Sequence, residues 1–172
     1  MQTLLRAAMI AAAALSFAAP HAAAQGSPPE LKQIKLTEQQ VQSFIAAQND
    51  LNAVTSKIKG DKPDPKLVIE LEAAAKKHGF ASLQDLDDVS ANIGLVMSGF
   101  DPKTKEFSQP PEALKKEIAA VNADKSIPAN EKKQILDELK VAQQFAKPVQ
   151  FPENVELIKK YYDRIEGAMP KG

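Results

Sequence analysis

Few residues in this chain could carry chemistry. His78 is the one histidine in residues 25–172, and cysteine is absent from the whole sequence. Zinc sites are built from several nitrogen or sulfur ligands, and this composition cannot assemble one. A serine–histidine–acid triad would have to run through His78. That residue sits just before Gly79, at the expected end of a helix. A cationic imidazole there complements the helix dipole, which is the role the sequence predicts for it.

Asp85, Asp87 and Asp88, with Asp101 further on, raise the question of calcium. An EF-hand needs oxygen ligands at alternating positions, a central glycine and a terminal glutamate. DLDDVSANIG has no such order, and acids in the first turns of a helix are what the dipole favours. A haem would need axial ligands, for which His78 and Met97 are the available pair. There is no C-x-x-C-H, and Met97 lies in an apolar run where its thioether fills a core. A glycosidase needs two carboxylates at a set separation, and nothing singles out a pair among 22 acidic residues. Tyr161 and Tyr162 beside Lys159 and Lys160 would suit a carbohydrate or an anion. Tyr162 falls on a helical stripe, however, which predicts ordinary half-burial. The expectation is no catalytic set, no cofactor and no metal.

One candidate groove is left. Gly94, Leu95, Val96 and Met97 form a helical stretch that is apolar nearly all round, and Phe100 follows it. Such a stretch must be covered on every side. Either neighbouring helices cover it, or it lines a site for a small apolar ligand or a partner helix.

The elements that would position this groove are helices. Leu83–Phe100 opens with a stripe at helical spacing, Leu83, Leu86, Val89 and Ile93. It is predicted as the central helix, capped by Ser82 and ended by Gly99. Before it, Thr37 and Gln40 make a capping box, and Leu36 and Val41 a hydrophobic staple, for a helix striped by Val41, Phe44, Ile45, Leu51, Val54 and Ile58. Gln48 sits on that stripe where an apolar residue is expected. Asp64 caps a second helix with Pro65 at its first position, and Gly79-Phe80 closes it. The same Gly-Phe pair, Gly99-Phe100, closes the central helix, and shared capping physics is the expected reason.

Asp101–Gln109 is the longest break. Three more helices follow, with Leu114, Ile118 and Val121 inward in the fourth. Ile135, Leu136, Leu139, Ala142 and Phe145 face inward in the fifth, and Val155, Ile158, Tyr162 and Ile165 in the sixth. No segment alternates long enough for a strand. The reading is an all-α, bundle-like single domain of about six helices over 36–168. The break leaves open one bundle or two three-helix halves. Residues 169–172 are expected to fray.

The first residues have another purpose. Arg6 precedes the apolar run Ala7–Ala19, Pro20 breaks it, and Ala22-Ala23-Ala24 supplies small residues. That is the pattern of a secretory signal peptide, 1–24, cleaved after Ala24. A run this short does not span a membrane. Residues 25–35, with Pro28 and Pro29, read as a flexible leader. The expected location is the bacterial periplasm or the secreted fraction. The formal charge of +0 is well mixed, so neither nucleic acid nor stable membrane insertion is expected.

Leu36-Thr37-Glu38-Gln39-Gln40 resembles the L-T-x-x-Q signature of small helical periplasmic stress chaperones. Those proteins usually carry the motif twice. The nearest second candidate here, Ile127–Glu131, departs from it at both fixed polar positions. LTEQQVQSFIAAQ, KKHGF with DLDDVSANI, and FPENVELIKKYYD together resemble an uncharacterised group of small exported helical alphaproteobacterial proteins. That resemblance implies a compartment and a helical fold, without an activity. The function expected is a non-enzymatic binding or chaperone-like protein with a protein partner; the alternative is a carrier of a small apolar ligand between helices.

Overall fold

The structure, a computed structural model, describes residues 31–58 and 64–169. The expected signal peptide 1–24, the leader up to residue 30 and residues 170–172 lie outside them. The described residues form six helices: α1 (Glu38–Thr55), α2 (Pro65–Lys77), α3 (Leu83–Met97), α4 (Pro110–Ala123), α5 (Ala129–Phe145) and α6 (Pro152–Ala168). Their strand-like pairing is limited to an isolated antiparallel bridge between Phe100 and Phe107. The chain is all-α, as its composition and periodicity predict.

Local chemistry starts and stops the first three helices. The Thr37 hydroxyl accepts from the Gln40 N–H, and the Gln40 carboxamide accepts from the Thr37 N–H, so the capping box is complete. Asp64 accepts from the Lys66 N–H ahead of Pro65. Ser82 accepts from the Asp85 N–H, while the Asp85 carboxylate reaches back to the Ala81 N–H. At the end of α2 the Phe80 N–H donates to Ala75 O and the Gly79 N–H to Lys76 O, with Gly79 at φ +88°. That is a Schellman closure, and it needs a residue tolerant of positive φ.

Gly99 departs from the expected shared device. Its φ is not positive, and its N–H and that of Phe100 make three-residue turns onto Val96 and Met97. A Cβ there would stand 2.4 Å from the Phe107 ring and 2.4 Å from Ser108 O. Gly99 therefore allows the returning 107–108 backbone to close on α3, where the Ser108 N–H donates to Gly99 O.

The core lies among α1, α2, α3 and α6. Each of α1 and α3 packs against the other three, so the central place expected of α3 is shared. Val41, Val89, Ile93, Ile158 and Ile165 are closed to solvent. Gln48 is buried on the α1 stripe and satisfies its amide on Phe44 O at 3.2 Å. The Tyr161 hydroxyl donates to Glu38 and accepts from Gln42, tying α6 to α1.

The helices do not divide three and three. The last one, α6, rejoins the N-terminal group, whereas α4 and α5 pack chiefly on each other as an arm. Lys105 pairs with Asp163 across the 101–107 loop. Among the described residues no helix is long and apolar enough to cross a membrane.

Candidate functional site

The groove residues of the sequence fall into the core. Val96, Met97 and Phe100 are buried within the α1–α2–α3–α6 cluster, Gly94 is buried, and Leu95 packs half-buried against it. Phe100 meets Phe107 and Tyr162 edge-on, with ring centroids 5.3 Å and 5.5 Å apart.

His78 is the C-cap of α2, and its Nε2 lies 2.8 Å from Asp50 Oδ2. Lys77 reaches the same oxygen at 2.7 Å. These donors hold the Asp50 carboxyl below its usual range, first through Lys77 and then His78. Sequence reasoning missed Asp50. It lies a full helix away from His78, and no spacing rule joins the two.

The acids of α3 and Asp101 in the loop after it stand in separate surroundings. Asp85 serves the helix start, and Asp88 accepts from Gln84 at 3.0 Å. Asp101 Oδ1 accepts from the Lys103 and Thr104 N–H groups, which hold its carboxyl down. Asp87 is lifted to about 6 by burial and by the neighbouring Asp88. Among the described residues no three His, Cys, Asp or Glu side chains stand close enough together to hold a metal ion. A depression of about 260 Å³ is lined by Thr37, Gln39, Gln40, Ser43, Gly79, Phe80 and Asp85. In it, Thr37, Gln40 and Asp85 already serve as caps.

The arm is built differently. Neither α4 nor α5 has a side-chain cap at its start, a lack shared in the core by α6. Gln109 at the base of the arm accepts from the Val149 N–H through its side-chain Oε1 at 2.8 Å, stitching the two ends of the arm together. At the tip, Asp124 accepts from the Ser126 N–H and hydroxyl, and Lys132 donates to Asp124 O.

The stripe residues Leu114, Ile118, Val121, Ile135, Leu136 and Ala142 are only half-buried, and Leu139 alone of the α5 stripe is buried. Phe145, expected inward, is half exposed. It shares one outer face with Val141, four residues earlier, and the two are 50% and 55% exposed. Glu117 lies on the α4 stripe between Leu114 and Val121, and burial pushes its carboxyl up. Two helices alone cover each other's stripes on one side only. What the arm offers is an elongated apolar seam, bordered by mixed charge, that the described residues leave half-open.

Comparison of the chain with protein-family models, with curated proteins and with solved structures gives no match.

Proposed function

We propose that this chain is a non-enzymatic, exported binding protein of chaperone-like type that engages protein partners through the α4–α5 arm. The observation that carries this reading is the half-open seam of the arm, with Val141 and Phe145 facing solvent. Paired exposed apolar side chains on a projecting element are a feature of interaction surfaces. The burial of Val96, Met97 and Phe100 supports a protein partner over an apolar ligand held among them. The export signal of residues 1–24 and the L-T-x-x-Q start of α1 agree with it.

The test is suppression of aggregation. At equimolar ratio the protein should slow the aggregation of several chemically denatured clients, and Val141→Ser with Phe145→Ser should abolish the effect with the helical signal unchanged. A wild-type protein without effect on any client overturns the chaperone-like reading. A double variant as active as the wild type removes the arm from it.

A further inference from the structure

Residues 31–36 are held through their backbone by side chains of two distant helices. Asn92 on α3 and Asn154 on α6 are 1% and 2% exposed, and both bond their carboxamides to this segment, Asn92 also donating to Asp88 O at 2.8 Å. Asn92 accepts from the Ile34 N–H at 2.9 Å and donates to Lys32 O at 2.9 Å. Asn154 accepts from the Leu36 N–H at 2.8 Å and donates to Ile34 O at 2.8 Å. The two amides thus take N–H and C=O groups in steps of two residues, the register of an extended chain. The segment replies with Gln33, whose carboxamide donates to Pro148 O and accepts from the Gln150 N–H, both at 2.9 Å. Ile34 and Leu36 turn inward, while Lys32 and Lys35 face solvent. The sequence predicts a flexible leader over 25–35; its described residues, 31–35, lie against α3 and α6.

We infer that the Asn92–Asn154 cleft is a binding site for an extended polypeptide of a partner protein, which residues 31–36 fill in cis as a displaceable strap. The site reads main-chain groups, so it tolerates sequence, and it selects only apolar side chains two residues apart. A glutamine just before the first apolar residue adds the 148–150 contacts. The strap is the ligand's own template, because every polar contact it makes with Asn92 and Asn154 is available to any chain of that shape. Its departure leaves the Thr37–Gln40 cap of α1 intact. The site is separate from the arm and stands or falls independently of it.

The test uses the full chain carrying Ile34→Pro, which removes the N–H that Asn92 accepts, and a fluorescent peptide, LKQIKLT. The peptide should bind this variant at least tenfold more tightly than the wild type, whose strap competes. N-methylation of the peptide at its isoleucine and second leucine should weaken binding at least tenfold. Absence of binding to a variant with native helical content overturns the inference, as does binding indifferent to N-methylation. A dimer of the variant that exchanges straps, seen by native mass spectrometry, overturns it too, since the occupant is then a second copy. Hydrogen exchange on the wild type decides the matter should the variant not fold. The Ile34 and Leu36 amides should exchange at least tenfold faster than those of Val89 and Ile158. Exchange only at the rate of these core amides shows a strap that never leaves, and overturns the site.

Discussion

The α1–α2–α3–α6 core and the α4–α5 arm are made of helices with much the same periodicity, yet they bury it to different ends. In the core every stripe meets two or three others, and Ile93, Ile158 and Ile165 lose all contact with solvent. In the arm each stripe meets one partner, and Ile118 and Ile135 stay half-buried. A fully buried aliphatic side chain contributes roughly 1.5–3 kcal/mol, and a half-buried one about half of that. Periodicity therefore says that a face is apolar; the number of neighbouring helices says how much stability it supplies and how much surface it leaves for others.

Truncation of the two regions gives the largest expected effect. Ile158→Ala removes a side chain with no exposure, and its cost should be about 2–5 kcal/mol. Ile118→Ala in the arm should cost about 1 kcal/mol, because solvent already reaches the site and no closed cavity forms. Urea unfolding of both variants measures the difference. Equal costs would show an arm packed as tightly as the core and would end the distinction.

Glycines at the ends of α2 and α3 sharpen the comparison within the core. Gly79→Ala should cost about 1–2 kcal/mol, because the left-handed backbone disfavours any Cβ. Gly99→Ala should cost about 1–3 kcal/mol, because the added carbon meets the Phe107 ring and Ser108 O. Phe107→Ala should relieve part of the second cost and none of the first, which a double-mutant cycle detects.

These two glycines show where sequence reasoning stops. Thr37 with Gln40, Asp64 with Pro65, Ser82, and Gly79 with Phe80 were legible because their partners lie within five residues. Gly99 has the same neighbour, a phenylalanine, but its cause is a backbone that returns eight or nine residues later. Asn92 and Asn154 carried a signal that could have been used. Asn92 stands three residues after Val89 and four before Val96, and Asn154 four before Ile158, so each is a polar residue on an apolar stripe. Gln48 drew attention on that ground. What the stripe cannot say is which distant backbone such an amide serves. The arm was equally hidden, since Leu114, Ile118 and Val121 announce a buried face without naming what buries it.

A smaller effect concerns the half-buried acids, one in each region. Asp87 on α3 titrates near 6, through burial first and Asp88 second, and Glu117 on α4 is raised by burial alone. A carboxyl whose folded pKa lies above its unfolded one binds more protons when folded. Stability is then lost as pH rises through the window from the unfolded value near 4 to the folded value near 6, and the full penalty applies above it. The shift corresponds to about 3 kcal/mol at most; solvent screening of a half-exposed group reduces this to about 1 kcal/mol. Asp87→Asn should thus stabilise the protein by about 1 kcal/mol at pH 7 and make little difference at pH 4. Thermal unfolding across that range tests the sign, and a variant less stable at pH 7 would reverse it. Glu117→Gln should act in the same direction.

The smallest expected effect on stability is the most informative about the arm. Val141→Ser removes an apolar side chain that is 55% exposed and absent from the core cluster. Surface changes of this kind stay within about 0.5 kcal/mol, and the residue keeps its place in a helix whose other contacts are untouched. The unfolding midpoint should therefore not move. A drop above about 1 kcal/mol would mean that Val141 is covered in solution, by the rest of this chain or by another copy. A second copy reveals itself because the loss would then grow with protein concentration. An unchanged midpoint combined with weaker suppression of client aggregation would separate binding from folding at a single side chain. That separation is what the half-open seam predicts: among the described residues α4 and α5 lack the stability that a third helix would supply, and Val141 and Phe145 stay exposed.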